Sequence, residues 1–256
     1  MRDILEAVAA GELSPVAAEA ELRGYVTGDA GRFDAARERR SGVPEAVLAD
    51  GKTPDEVAEL VATSLDATGR AIATRLSDEQ VLAVRRRLDD RFPAASLRLH
   101  GRAGTLVAHA PSFDQPQLDA SVGIVTAGTS DAVPAGEAGA IAGEMGARIE
   151  RVSDVGVAAL TRLIDQLDRL RAHDVLVVAA GREGALPTVV AGLVDVPVIA
   201  LPVSTGYGHG GEGEAALAGM IQSCTALSVV NVDAGFTAGA QAGLIARRVD
   251  AARNGG

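Results

Sequence analysis

From Ser121 to Asp233 the chain repeats one pattern: a short apolar run, a turn marked by glycine, serine or aspartate, then a helical segment. The apolar runs are "SVGIVTAG", "ARIERV", "DVLVVAAG", "PVIALPV" and "LSVVNVD". Between them lie "PAGEAGAIAGEMG", "VAALTRLIDQLDRL", "GALPTVVAGLV" and "EGEAALAGMIQSC", with apolar residues at helical spacing. Short runs of this kind read as buried strands. Strand and helix in alternation predict a parallel sheet with helices on both faces. A final helix, about Ala234 to Ala252, closes the unit. The expected class is α/β: a three-layer, flavodoxin-like parallel sheet, preceded by a smaller α+β domain.

That first domain has another texture. Up to about Gly104 the chain is charged and helical in pattern. "SPVAAEAEL" offers Ser14 as N-cap and Pro15 at the first helical position. "TPDEVAELVATSL" repeats that start, and "SDEQVLAVRRRL" carries a capping box, Ser77 with Gln80. "AIATRL" reads as a short strand, and "SLRLHGRAGTLVAHA" as a hairpin turning at Gly101–Gly104. The polar, proline-containing "PSFDQPQLDA" reads as a linker, which places the expected domains at 1–116 and 117–256.

Composition narrows the function classes. No apolar run approaches the roughly 20 residues of a membrane span, and "MRDILEAVAAGELSP" carries acids through its apolar region, unlike a signal peptide. A formal net charge of −10 disfavours nucleic-acid binding. One cysteine and four histidines without ligand spacing argue against a structural metal site. The expectation is a cytoplasmic protein without nucleic-acid or membrane partners.

Ligands of parallel sheets bind at the carboxyl ends of the strands, where this sequence gathers glycine, serine and aspartate. In "AGTSDAVPAGEA", Thr129, Ser130 and Asp131 open a helix and can meet an oxyanion or phosphate; a plain N-cap is the alternative. The spacing is neither a dinucleotide fingerprint nor a phosphate loop with lysine. "AAGREGALP" puts Glu183 in a glycine-flanked turn. "PVSTGYGHGGEGE" reads as a flexible ligand loop contributing Ser204, Tyr207 and His209, the histidine more simply a bystander. "RLRAHD" makes His173 a helix C-terminal cation, and "RRR" at 85–87 a solvated helix face. Cys224, in "MIQSCTALSVVNVD", is either a small core hydrophobe or a nucleophile near the end where the glycine-rich loops converge. Following a helix C-terminus, it would need a nearby base or a cationic substrate to stabilise the thiolate.

Taken together, "RSGVPEAVLADGKTPDE", "AIATR", "VTAGTSDAVPAGEA", "VSDVGVAALTRL", "VVAAGREGALPTVVAGLVDVPVIALPVSTGYG" and "SCTALSVVNVDAGF" resemble the aminoimidazole ribonucleotide carboxylase superfamily. The resemblance is nearest to its LarB branch, of nickel-pincer-nucleotide cofactor biosynthesis. It implies carboxylation of nicotinic acid adenine dinucleotide at C5 of the pyridinium ring, using carbon dioxide or bicarbonate. It also implies hydrolysis of the phosphoanhydride, giving pyridinium-3,5-biscarboxylic acid mononucleotide and AMP. By match to the family's motifs Cys224 is the nucleophile and Glu183 its candidate base. Ser130 and Asp131 would line the substrate pocket; Arg75 in "ATR" and Lys52 in "GKT" would hold a carboxylate or phosphate. No organic cofactor is implied, and the need for magnesium at the diphosphate is left open. A homo-oligomer, an octamer by analogy, is expected. Two rival readings stand: a purine-type aminoimidazole ribonucleotide carboxylase or mutase, and a non-catalytic nucleotide-binding regulatory subunit.

Overall fold

The computed structural model describes residues 2–28, 30–205 and 209–255, apart from the side chains of Asp3, Ala20 and Glu21. The chain divides into two compact units, Met1–Asp114 and Gln115–Gly256.

The first unit begins with α1 (Arg2–Ala9), α2 (Pro15–Arg23) and an antiparallel ribbon of β1 (Val26–Gly28) and β2 (Gly31–Phe33). There follow α3 (Arg37–Ser41), β3 (Val47–Leu48), α4 (Pro54–Thr68), β4 (Arg70–Thr74), α5 (Asp78–Arg91), β5 (Ser96–His100) and β6 (Thr105–His109). The last four strands form a sheet in the order β3-β4-β6-β5, with β3 parallel to β4 and the other pairs antiparallel. The expected hairpin is present, and Gly104 supplies the left-handed residue (φ 55°) that ends its turn. The helix starts are also where the sequence puts them. The Ser14 hydroxyl accepts the Ala17 N–H at 3.1 Å. Thr53 with Glu56, and Ser77 with Gln80, close reciprocal capping boxes. Val57, Val61 and Leu65 of α4 meet Val84 and Leu88 of α5 and Leu106 of β6 in one core. Each such buried side chain contributes about 1.5–3 kcal/mol.

The second unit contains β7 (Ser121–Thr126), α6 (Ala132–Glu144), β8 (Arg148–Val152), α7 (Leu160–Ile164), α8 (Leu167–Arg171) and β9 (Val175–Ala180). It continues with α9 (Ala185–Ala191), β10 (Val198–Pro202), α10 (Glu214–Ile221), β11 (Ser228–Val229) and α11 (Gly235–Asn254). All five strands are parallel, in the order β11-β10-β9-β7-β8. This is the expected flavodoxin-like order, and its direction of winding reverses between β7 and β9. On one face Ala135, Ala138 and Ala142 of α6 and Ala238, Ala242 and Ala246 of α11 cover Val122, Ile124 and Val177. On the other, Leu163 of α7, Leu170 of α8, Val190 of α9 and Met220 of α10 cover Val125, Leu176 and Val178. The three layers are therefore helix, sheet, helix.

Small residues set the spacing of α6 and α11. A Cβ on Gly239 would stand 2.3 Å from the Ala138 carbonyl oxygen, and one on Gly243 would stand 2.5 Å from the Met145 sulfur.

Three expectations are corrected. β8 and β11 are not buried strands: they are the sheet's edges, with mostly exposed or half-buried residues, and β11 is only two residues long. The segment "VAALTRLIDQLDRL" is not one helix but a 3₁₀ turn followed by α7 and α8, separated at Asp165–Gln166. His173 is not the helix C-terminal cation expected but a buried side chain. It is 6% exposed, packed where a Cβ on Gly123 would meet its ring at 2.7 Å. Burial lowers its pKa against the opposing pull of Glu150, which lies 3.5 Å away.

Candidate active site at the carboxyl edge of the parallel sheet

The loops leaving β7, β9 and β10 come together at the point where the winding reverses. A Cβ on Gly181, just after β9, would lie 2.3 Å from the carbonyl oxygen of Thr205, beyond β10. Only a glycine lets those two exits approach so closely.

Asp131 occupies the exit of β7. It is 3% exposed, on the 3₁₀ turn Thr129–Asp131 that leads into α6. Its carboxylate makes no cap on α6; Oδ2 instead accepts the Gly128 N–H at 2.7 Å, and Oδ1 lies 3.5 Å from the Ser130 hydroxyl. Burial raises its pKa, against backbone N–H groups of Gly128, Gly181 and Ala127 that favour the ionised form. Thr129 and Ser130 are exposed beside it.

Next to this turn, at the exits of β9 and β10, lies a cavity of about 320 Å³. Arg182, Glu183, Thr205, His209 and the glycines that follow line it. Glu183 is exposed on its wall. The turn that presents Glu183 is held by close packing. Gly184 is left-handed (φ 66°), and a Cβ there would meet the Ala216 carbonyl oxygen at 2.5 Å; one on Gly219 would meet the Glu183 carbonyl oxygen at 2.4 Å. Arg182 also adopts positive φ (54°), a conformation unfavourable for a residue with a long side chain.

Ser204 is half-buried, and its N–H donates to Asp233 Oδ1 at 3.0 Å. Tyr207 lies outside the described residues.

Cys224 is exposed, in the turn between α10 and β11. That turn is at the amino ends of the strands, because α10 has carried the chain back from the β10 exit. The sequence expectation that Cys224 lies near the convergent loops is thereby corrected. Its neighbour Thr225 lies with Oγ1 3.5 Å from the Thr188 carbonyl oxygen, at the middle of α9, whereas Glu183 precedes the first turn of that helix. Cys224 is not among the residues lining the cavity.

In the first unit the exits of the parallel pair β3 and β4 bring Lys52 and Arg75 to one edge. Lys52 Nζ donates to the Leu48 carbonyl at 2.6 Å, and Arg75 Nη1 meets Asp50 Oδ2 at 3.2 Å. Arg75 has φ 59°.

Two residues escaped sequence reasoning: Arg182, which lines the cavity, and Asp233, which holds the Ser204 amide beside it. Both stand in quoted motifs, "REG" and "NVD", but positive φ and a side-chain bond to a distant amide leave no mark in composition. A second cleft, of about 340 Å³, opens at the exit of β8. There Arg162 is paired with Asp154 at 2.6 Å and Arg169 with Glu150 at 2.5 Å. Among the described residues no group of three or more His, Cys, Asp or Glu side chains could hold a metal ion. No helix among them is long and apolar enough to cross a membrane.

Residues 121–255 match the AIR carboxylase family. The chain belongs to that family. Residues 25–109 match a second family, the LarB/PurE-like N-terminal domain, so this is a LarB-type member of the AIR carboxylase family. It is 38% identical over 219 residues to "Uncharacterized protein MJ0165" of Methanocaldococcus jannaschii, covering 84% of each chain. It is also similar to a crystal structure of a PurE2 variant from Treponema denticola, at 22% identity and a TM-score of 0.40, over 52% of this chain and 81% of that one. The matched domains point to a carboxylase of the AIR carboxylase family, with the cleft at the carboxyl edge of its parallel sheet.

Proposed function

We propose that this LarB-type AIR carboxylase converts nicotinic acid adenine dinucleotide and carbon dioxide, or bicarbonate, to pyridinium-3,5-biscarboxylic acid mononucleotide and AMP. The observation that carries the reading is the succession of a LarB/PurE-like N-terminal domain and an AIR carboxylase domain in one chain.

The chemistry needs no carboxylation cofactor. The Cys224 thiolate adds to C6 of the cationic ring, forming a C–S bond, and the ring charge is cancelled. C5 is now enamine-like and attacks carbon dioxide, forming the new C–C bond. Loss of the C5 proton and expulsion of the thiolate restore the aromatic pyridinium. Glu183 is the base for proton transfer, Thr129, Ser130 and Asp131 line the nucleotide pocket, Ser204 and Tyr207 are further substrate contacts, and Arg75 and Lys52 hold anionic groups. Water then cleaves the phosphoanhydride, releasing AMP.

Cys224 stands in the turn after α10, next to Thr225, which lies against α9, and is not part of the cavity lining. In this reading a homo-oligomer completes the dyad, by placing Cys224 of one copy over the carboxyl-edge cleft of another.

The test is incubation of the purified protein with nicotinic acid adenine dinucleotide and bicarbonate, with products and intact protein read by mass spectrometry. Wild type should yield AMP and the dicarboxylated mononucleotide, and Cys224→Ala neither a protein adduct nor the carboxylated product. Absence of both products from wild type would remove the reading. Turnover of aminoimidazole ribonucleotide instead would assign the purine-type reaction.

A further inference from the structure

The segment between β10 and α10 contributes Thr205, His209, Gly210, Gly211 and Gly213 to the cavity wall. Both of its ends converge on two residues beyond β11. At one end the Ser204 N–H donates to Asp233 Oδ1 at 3.0 Å. At the other, Gly213 packs so closely that a Cβ would lie 2.5 Å from Val232 Cγ1 and 3.4 Å from the Ser204 Cα. Asp233 is itself anchored, its N–H donating to the Pro202 carbonyl at 2.9 Å, and it takes φ 53° to do so. An amide held by a carboxylate is a charge-assisted bond, about twice as strong as a neutral one. Within the segment, the Ala215 N–H donates to the Gly210 carbonyl and the Glu214 N–H to the Gly211 carbonyl, which fixes its returning half onto α10.

We propose that Asp233 is a positioning residue: its carboxylate, bound to the Ser204 amide, sets Ser204 and, beside it, the cavity-wall residues Thr205 and Gly213. For turnover the inference rests on the carboxylase reading; for loop order it does not.

Two variants separate the carboxylate from the backbone conformation. Asp233→Gly keeps positive φ at no steric cost and removes the acceptor. Asp233→Asn keeps both positive φ and one acceptor oxygen. Amide hydrogen exchange at residues 204–205 and 209–215 is the primary readout. Asp233→Gly should speed exchange there by about tenfold or more, as expected from losing a hydrogen bond to a charged acceptor, with the rest of 115–256 unchanged. Asp233→Asn should stay within about threefold of wild type. In the carboxylase assay the glycine variant should raise KM by about tenfold with kcat within about threefold, a split that Asp233→Asn rescues. Unchanged exchange in the glycine variant overturns the proposal. So does faster exchange spread across all of 115–256, which makes Asp233 a residue of general stability. If wild type shows no turnover while exchange behaves as described, the carboxylase reading falls and the positioning role stands.

Discussion

The Asp131 carboxylate turns away from the helix it precedes and accepts the Gly128 amide at 2.7 Å. A buried carboxylate with a raised pKa holds its proton longer folded than unfolded. Its contribution to stability is therefore greatest below the unfolded value, about 3.9, and is lost as pH rises through the folded one. Asp131→Asn has no such titration, so its stability relative to wild type should rise as pH increases from about 4 to 7. Urea unfolding at a series of pH values measures it; parallel curves for the two proteins would contradict it.

His173 behaves in the opposite sense with pH. The groups facing it are Glu150 from β8, Arg169 from α8 and its neighbour Asp174, and burial outweighs the two acids to lower its pKa. Above the unfolded value of about 6.5 neither state binds the proton and stability is full; as pH falls below it, the unfolded state takes up the proton first. Wild type should lose up to about 1.4 kcal/mol per pH unit through that window, and His173→Leu should lose less. Equal slopes in the two proteins would show that His173 titrates normally.

Mixing two inactive proteins tests whether sites are shared. Cys224→Ala and Glu183→Gln are each expected to fail in carboxylation. When they are unfolded together and refolded at equal amounts, sites built from Cys224 of one copy and Glu183 of another should return about a quarter of wild-type activity. A mixture as inactive as its parts would mean that each chain must complete its own site.

Gly239 decides how closely α6 and α11 approach. Alanine would gain about 1 kcal/mol of helix propensity, yet its Cβ would stand 2.3 Å from the Ala138 carbonyl oxygen. Pushing two packed helices apart costs typically 1–3 kcal/mol, and backbone oxygen cannot rotate aside as a side chain does. Gly239→Ala should therefore destabilise by a net of up to about 2 kcal/mol, and Gly239→Val by more. A melting temperature at or above wild type for the alanine variant would refute the packing argument.

Much of the fold was written in the apolar pattern. The strands of "SVGIVTAG", "DVLVVAAG" and "PVIALPV" lie inside the sheet, where burial on both faces demands unbroken hydrophobes, and their order and direction followed. Capping boxes marked α4 and α5 because a cap is a local bond between residues three apart. The pattern misled at the edges: β11 is apolar in sequence but has a neighbour on one side only. β1, β2 and β3 were too short to show a period. At the cleft, glycine-rich turns located Glu183 and Asp131, since ligand loops need tight backbone. What stayed hidden were relationships across the chain, such as Asp233 reaching an amide 29 positions earlier. The placement of Cys224 at the amino ends followed from counting the return of α10, which motif matching does not do.

Among the described residues of the second unit, the connections leaving β8, β9, β10 and β11 each carry a non-glycine residue at positive φ: Asp154, Arg182, Glu212 and Asp233. Such conformations cost on the order of 1 kcal/mol or more apiece, least for aspartate. A laboratory selection for heat resistance alone should accumulate glycine or asparagine at Arg182 and Glu212 first. The survivors would be tougher proteins with poorer chemistry, and the positions that drift would trace the outline of the working surface.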